Sequence, residues 1–226
     1  MSNSIFAFIQ DKHLFLPETG IYCTQQMLGA ESLWGAERLL AQRWSAERIA
    51  TFATGRACLR ILLQAVCRVP QEILIDRHNA PLLPPDLIGT VSHTEGLVGA
   101  VLASRQKVRS VALDIERLGA VHRELWDLLF TPTELAWLQT LAEAEADLLA
   151  TALFSIKECF YKLQSPLTGV FLDFPEVEIR WEEARGFVLQ VLKDFPERRH
   201  LPAETVLRAS IWGRHCVSYA VLLHKS

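Results

Sequence analysis

One short stretch in the second half of the chain limits what the protein can fold into. Residues 154–163, FSIKECFYKL, combine aromatic and aliphatic side chains with one acid and two lysines. Side chains four positions apart stack on one face of an α-helix, so Glu158 and Lys162 are predicted to be neighbours. On a solvated helix such a pair contributes little stability. The apolar flanks predict a largely buried helix instead, whose charged groups need partners elsewhere in the fold.

The overall composition excludes several classes of protein. The chain has 226 residues, half of them hydrophobic, which is enough for one large core or two similar halves. A net charge of −3 argues against electrostatic binding of nucleic acid. The five cysteines form no C-x-x-C pair, which argues against a disulfide framework or a zinc site. Because neither a signal peptide nor a membrane span is apparent, we expect a cytoplasmic protein.

The first part of the chain is predicted to be mainly helical. A short strand is expected at residues 4–9, and helical periodicity runs through residues 30–69. Gly55 lies within this periodicity, where glycine costs stability relative to alanine, so we expect another backbone to approach it closely. Prolines and glycine mark the next twenty residues as turns, with one short strand at residues 73–75.

The middle of the chain is predicted to form a hairpin followed by helices. The apolar runs at residues 97–103 and 108–115 are expected to pair with each other as a β-hairpin. An amphipathic helix is expected at residues 121–130. Residues 131–134, TPTE, supply an N-cap threonine, a proline at the first helical position and a glutamate three residues on, which together predict a helix start.

The last part of the chain is predicted to contain one long helix and four strands. The helix is expected from about residue 147 to residue 164, before Pro166, and the strands at 176–181, 187–192, 205–212 and 216–223, the last two joined at Gly213-Arg214. Each half then combines a buried helix with antiparallel strands. The sequence therefore predicts an α+β fold with weak internal duplication, divided into residues 1–110 and 111–226 within one compact body.

Two acids in one strand candidate suggest a metal site. Asp114 and Glu116 project from the same face, because successive strand side chains alternate. The simpler interpretation is a pair of solvated acids at a strand end. The other is Mg²⁺, a hard cation usually held by one or two carboxylates with water and phosphate oxygens. Glu158 supplies a third carboxylate, and the flanking Lys157 and Lys162 suit phosphate oxygens, so phosphoryl transfer fits these residue types.

Other polar residues admit more than one interpretation. Ser92 and His93 resemble a nucleophile and its base, yet neighbours on a strand face opposite sides, and there is no G-x-S-x-G elbow. His93 suits a structural donor or a phosphate ligand equally well. Arg56 is either a cation on the helix surface or a partner for a phosphate.

Taken together, these segments resemble the signature motifs of 4′-phosphopantetheinyl transferases. The three blocks are GTVSH at 89–93, ALDIE at 112–116 and FSIKECFYK at 154–162, and GRA at 55–57 resembles the upstream helix motif. The resemblance covers about residues 55–163. It is to the long monomeric class, which activates the surfactin and enterobactin synthetases of secondary metabolism.

The resemblance implies a fold and a reaction. The fold would be pseudo-twofold α+β, with coenzyme A and Mg²⁺ held at the interface of the two halves. The reaction would move the phosphopantetheine arm of coenzyme A to a serine of an apo acyl, peptidyl or aryl carrier protein. Adenosine 3′,5′-bisphosphate would be released, as in a holo-(carrier protein) synthase. Neither nucleic acid nor membrane is implied as a partner.

The resemblance also implies residue roles. Glu158, directly or through a metal-bound water, would accept the proton of the carrier serine, and Lys162 would stabilise charge on the leaving phosphate. The metal ligands would be Asp114, Glu116 and Glu158, and the coenzyme A contacts would be Arg56, Arg77, Ser92, His93, Lys157 and Lys162.

The chain departs from the family pattern in the segment before Ser92. Ala80 stands where the family has a lysine or arginine before a proline, and Arg77 or His78 is expected to replace that cation. The cation for the 3′-phosphate is left open among Arg43, Arg48 and Arg77. Cys159 stands where alanine or serine is usual, which we expect to be tolerated.

Two rival functions fit part of the same pattern. A Mg²⁺-dependent phosphohydrolase would use the acids and lysines for attack by water. A non-catalytic relative would bind carrier proteins or coenzyme A without transfer.

Overall fold

The chain alternates strands and helices in the same order in its two halves. The computed structural model describes residues 19–77, 79–201 and 205–224, so the strand expected at 4–9 and His78 lie outside it. The α-helices are α1 (Gly35–Ala41), α2 (Ala46–Ala65), α3 (Trp126–Leu129), α4 (Pro132–Gln139) and α5 (Glu143–Thr168). The strands are β1 (Thr19–Thr24), β2 (Leu87–Thr94), β3 (Leu97–Ser104), β4 (Val108–Arg117), β5 (Val177–Glu182), β6 (Gly186–Val191), β7 (Val206–Trp212) and β8 (His215–Leu223).

Two antiparallel sheets share one topology. The first has the strand order β1-β3-β2, the second has the order β4-β8-β7, and β5 and β6 form a separate hairpin. In each sheet the first strand is followed by helices and then by a hairpin whose second strand lies at the centre. The predicted α+β fold with two similar halves is therefore confirmed, and it is pseudo-twofold.

A long helix packs on each sheet. Leu59 and Leu63 of α2 pack against Ala100 and Leu102 of β3. In the second half, α5 places its apolar face in the largest core cluster, together with β4, β7 and β8. Gly55 of α2 does sit at a close approach, because an added Cβ would lie 2.7 Å from Val91 Cγ1. The neighbour is thus a side chain of β2 and not the backbone expected from the sequence.

The two halves meet where β3 lies against β4. A Cβ on Gly99 of β3 would lie 2.9 Å from Ile115 Cδ1 and 3.2 Å from Leu113 Cδ2 of β4. Leu97 and Val101 of β3 belong to the same core cluster as these two β4 residues. This contact brings the end of β2 beside the carboxylates of β4.

Several sequence predictions are corrected by the strand pairing. The hairpin expected between residues 97–103 and 108–115 is wrong, because β3 and β4 belong to different sheets. β3 pairs with β2, a strand absent from the sequence predictions, through a turn at Gly96 with φ of +79°. Residues 73–75 form no strand and contribute only a single bridge between Ile75 and Pro81.

The helix predictions fare better. The capping box at Thr131 is present, and the residues before it form a 3₁₀ turn and the one-turn helix α3 in place of the longer amphipathic helix. Helix α5 continues through Pro166 and ends at Gly169, whose φ of +65° suits glycine.

The boundary proposed at residue 110 falls inside β4, so the turn at residues 105–107 divides the halves more naturally. None of the helices described has the length and apolar character needed to cross a membrane.

Candidate active site

Asp114 lies at the centre of a polar cluster between the two halves. It is buried on β4, and Glu116 follows two positions later on the same face of the strand and is half-buried. Ser155 Oγ of α5 donates to Asp114 Oδ2 at 2.8 Å, and Lys162 Nζ donates to Oδ1 at 2.6 Å. The helix thus delivers a hydroxyl and an ammonium group to a carboxylate on the neighbouring sheet.

Strand β2 completes this cluster from the other half of the chain. Ser92 Oγ donates to Asp114 Oδ1 at 3.4 Å, and Lys162 Nζ donates to Ser92 Oγ at 3.3 Å. Ser92 is buried, whereas His93 is exposed and lines a neighbouring pocket. Because Ser92 lies in the buried cluster and His93 faces the pocket, the two do not form a nucleophile and base.

The two glutamates near Asp114 share its electrostatic environment. Burial and the Asp114 carboxylate raise the pKa of Glu116 to about 7, and Glu158 adds to the effect while Lys162 opposes it. Burial and Asp114 likewise raise the pKa of Glu158. Burial alone would lower the pKa of Lys162, but attraction to Asp114 and their hydrogen bond raise it. Three carboxylates therefore repel one another around a single ammonium group.

This cluster suits a hard cation by its chemistry. Carboxylate oxygens are the ligands that Mg²⁺ prefers, and a divalent ion relieves repulsion among three acids. Within the described ranges, however, no three His, Cys, Asp or Glu side chains are already arranged so that they could hold a metal ion. Asp114 Oδ1 already accepts a hydrogen bond from Lys162, which leaves that oxygen fewer lone pairs for a metal ion.

A pocket of about 860 Å³ opens beside the cluster in the N-terminal half. Its walls are the first turns of α2, the loop near residues 75–79 and the end of β2, and its lining includes Trp44, Arg48, Phe52, Arg56, Asn79 and His93. Arg48 is exposed, and its guanidinium lies 4.1 Å from the centre of the Trp44 ring. The lining combines aromatic faces with cations, as a nucleotide requires.

Arg56 and His93, two of the predicted ligands, both line this pocket. Arg56 is buried, its Nε donates to Ile73 O at 2.6 Å, and its guanidinium lies 4.1 Å from the centre of the Phe52 ring. Burial lowers the pKa of Arg56 to about 10, and it remains a cation at neutral pH. Partial desolvation in the pocket and the nearby Lys162 lower the pKa of His93, although its side chain reaches solvent, so its imidazole is neutral at that pH.

Other predicted contacts lie elsewhere. Lys157 is fully buried and pairs with Glu134 at 2.7 Å, and its ammonium also donates to Leu129 O and Phe174 O, both at 2.9 Å. With its three protons bonded inside the protein, Lys157 cannot contact coenzyme A, which corrects that prediction. Arg77 is exposed in the loop near the pocket, and neither it nor Arg43 is among the lining residues.

Sequence reasoning missed two residues that support the cluster. Ser155 was part of a recognised motif, but its hydrogen bond to Asp114 was not foreseen. Glu134 was assigned only to a helix cap, although its carboxylate also binds Lys157. A buried lysine flanked by aromatic residues was the available signal, because such a group requires a counter-charge.

Comparison with known proteins assigns this arrangement to a family. Residues 110–220 match the profile of the 4′-phosphopantetheinyl transferase superfamily, and residues 36–103 match the 4′-phosphopantetheinyl transferase N-terminal domain. The chain belongs to the 4′-phosphopantetheinyl transferase superfamily, in its long class. The recognition made from the sequence motifs is confirmed.

Individual relatives show how far the similarity extends. The transferase PptT of Mycobacterium tuberculosis is 33% identical over 163 residues, covering 70% of this chain and 71% of the relative. The transferase Svp of Streptomyces mobaraensis is 34% identical over 141 residues, and the match spans 62% of this chain but only 57% of that relative. A holo-(acyl-carrier-protein) synthase structure from Bacillus anthracis is 18% identical, with a TM-score of 0.43, and covers 52% of this chain and 99% of that one.

Proposed function

We propose that this protein transfers the 4′-phosphopantetheine arm of coenzyme A to a serine of an apo carrier protein. The observation that carries the proposal is the meeting of Asp114, Glu116, Glu158 and Lys162 beside a pocket lined by cations and aromatic rings. The relatives' names, all 4′-phosphopantetheinyl transferases, support the same reaction.

The pocket is proposed to hold the nucleotide part of coenzyme A. Arg48 is the best candidate for the 3′-phosphate, because it is the exposed arginine in the lining and Trp44 supports its guanidinium. Arg56 and the neutral His93 face the same space and suit the diphosphate. Ser92 supports this region indirectly, through its bonds to Asp114 and Lys162.

The proposed reaction is a single displacement at the β-phosphorus of coenzyme A. The serine oxygen of the carrier bonds to the β-phosphorus while the bond from that phosphorus to the bridging oxygen breaks. Glu158 accepts the hydroxyl proton, and adenosine 3′,5′-bisphosphate leaves with the electron pair. Lys162, with 37% of its side chain exposed, would stabilise charge on the leaving phosphate.

Mg²⁺ is the proposed cofactor. Asp114, Glu116 and Glu158 would hold it, and when bound it would neutralise part of the diphosphate charge. Because both pseudo-symmetric halves lie in one chain, the site needs no second copy, and we propose that a cytoplasmic monomer is the active form. Acyl, peptidyl and aryl carrier proteins are the candidate acceptors.

The direct test is transfer to a panel of apo carriers with coenzyme A and Mg²⁺, read by intact mass. We expect the carrier to gain the mass of the phosphopantetheine arm, the reaction to stop in EDTA, and added Mg²⁺ to restore it. Hydrolysis of coenzyme A without a modified carrier would favour a phosphohydrolase instead. Binding of the carrier without modification would indicate a non-catalytic relative.

A further inference from the structure

Each half of the molecule contains a buried ion pair of the same design. In both, a glutamate in the first turn of a short helix binds a cation on the following long helix. The pairs are Glu37 with Arg60 and Glu134 with Lys157, each at 2.7 Å. Both glutamates are fully buried, with an exposed fraction of 0%.

The carboxylate of the C-terminal pair accepts three hydrogen bonds. Glu134 Oε2 accepts from Thr131 N at 2.8 Å and from Lys157 Nζ at 2.7 Å, and Oε1 accepts from Ile179 N at 2.7 Å. Lys157 also donates to Leu129 O at 2.9 Å. The pair therefore joins the start of α4, the middle of α5 and strand β5.

The N-terminal pair repeats these bonds. Glu37 Oε2 accepts from Trp34 N at 3.0 Å, and Oε1 accepts from Arg60 Nη1 and from Ile73 N, both at 2.7 Å. Arg60 Nη2 also donates to Ser32 O at 3.1 Å. The pair joins the start of α1, the middle of α2 and the chain that follows α2.

The spacing of the two pairs is identical along the chain. Glutamate and cation are 23 positions apart in both, and the cation lies 28 positions after its carbonyl partner in both. Each C-terminal residue lies 97 positions after its counterpart (134 − 37 and 157 − 60). Three bonds recur at the same spacing in both pseudo-symmetric halves, and the isoleucine N–H differs, at 36 positions after Glu37 and 45 after Glu134.

We propose that Lys157 is a positioning residue, whose pair with Glu134 fixes the rotation and depth of α5 and thereby places Glu158 and Lys162 against Asp114. Lys157 immediately precedes Glu158, and successive helical side chains point about 100° apart. Three bonds hold Lys157 on one side of α5, and Glu158 lies on another side, near Asp114 of β4. The inference rests on the proposed function for its kinetic readout only.

The test compares matched variants, Lys157→Met and Arg60→Met, each leaving a buried glutamate unpaired. We expect both variants to lower the midpoint of thermal unfolding. They should differ in which kinetic parameter of the transfer reaction changes. Lys157→Met should lower kcat about tenfold or more, since misplacing a catalytic group by about 1 Å costs on the order of 100-fold. Its KM for coenzyme A should stay within about threefold of wild type.

Arg60→Met should show the opposite kinetic pattern. Arg56 lies one turn before Arg60 on α2 and lines the pocket, so KM for coenzyme A should rise about tenfold while kcat stays within about threefold. If either methionine variant does not fold, Glu134→Gln and Glu37→Gln make the same comparison, because glutamine keeps the size and loses the charge.

Amide hydrogen exchange supplies a readout independent of activity. Lys157→Met should lose protection over residues 154–163, whereas Arg60→Met should lose it within α2. A Lys157→Met protein with normal kcat, a raised KM for coenzyme A and unchanged exchange would overturn the proposal, since that pattern marks a direct phosphate contact. If wild type modifies no carrier, the transferase proposal fails. Unchanged protection in Lys157→Met would in that case still contradict the positioning role of Lys157.

Discussion

Among single residues, Asp114 has hydrogen-bond partners in both halves of the chain. It accepts from Ser92 of β2 and from Ser155 and Lys162 of α5. Replacing it with asparagine keeps the size but removes the charge that holds Lys162 and that a cation would need. We expect Asp114→Asn to lower the rate of carrier modification by about 100-fold or more, measured by intact mass.

The control for that substitution removes the same charge far from the cluster. Glu183 lies exposed in the turn between β5 and β6, and Glu183→Gln should modify the carrier at the wild-type rate. If Asp114→Asn also works at that rate, Asp114 has no part in the chemistry.

The pocket arginines allow a second prediction at this scale. Arg48 lines the pocket and Arg43 does not, although both are exposed. Arg48→Gln should raise KM for coenzyme A about tenfold, the cost expected for one lost charged hydrogen bond, while Arg43→Gln changes it little. With dephospho-coenzyme A, Arg48→Gln and wild type should have equal KM. An effect that persists with the dephospho substrate would place Arg48 away from the 3′-phosphate.

Adjacent residues show how far sequence reasoning reached. The pattern of residues 154–163 correctly predicted a buried helix carrying Glu158 and Lys162 to the acids of β4. It assigned Lys157 to the same phosphate site, because motif position alone does not say where a side chain points. The direction is set by Glu134, 23 positions earlier, and by two backbone carbonyls. Such partners are fixed by packing between elements, which the local sequence does not record.

At the scale of elements, local signals were reliable and long-range pairing was not. The capping box at Thr131 and the junction of two strands at Gly213 could be predicted because their chemistry lies within four residues. The pairing of β3 with β2 and not with β4 depends on how two sheets pack. Two adjacent apolar runs joined by a short polar segment look like a hairpin in either case.

The contact between α2 and β2 gives a prediction about stability. In a free helix, Gly55→Ala would stabilise by about 1 kcal/mol. Here the new Cβ would lie 2.7 Å from Val91 Cγ1, a stiff β-branched side chain. Crowding of this kind costs about 1–3 kcal/mol, so we expect Gly55→Ala to lower the free energy of unfolding, measured in urea.

The double variant with Val91→Ala tests the cause. Removing the two methyl groups of Val91 should make Gly55→Ala less harmful, with a coupling energy of at least about 0.5 kcal/mol between the sites. Stabilisation by Gly55→Ala alone, or strict additivity of the two changes, would show that α2 is free to move away from β2.

At the scale of the whole molecule, duplication explains why the site lies where it does. The two sheets have the same strand order and the same buried ion pairs, yet the carboxylates are on one half and the pocket is on the other. Counting 97 positions back from Glu158 and Lys162 gives Ile61 and Ala65, which have no acid–base chemistry. Each half thus retains the supporting design and contributes a different part of the site.

This division requires the halves to stay together, which predicts how the protein unfolds. Gly99 allows β3 to lie against Leu113 and Ile115, and Ser92, Asp114 and Lys162 bond across the same junction. Although chains of this length often unfold through intermediates, we expect one transition in urea, with far-UV circular dichroism and tryptophan fluorescence coinciding. Tryptophans occur in both halves, so fluorescence reports on each.

A variant at the junction separates cooperative from independent unfolding. Gly99→Val places methyl groups where Ile115 Cδ1 already lies within 2.9 Å of the Cβ position, and it should lower the midpoint and split the two probes. Val69→Ser, at an exposed position of the N-terminal half, should leave a single transition at the wild-type midpoint. Two separate transitions in wild type would mean that each half is stable alone. In that case the bonds at Asp114 align the two halves without stabilising them. A protein with one half unfolded would then lose its transfer activity while the other half stayed folded.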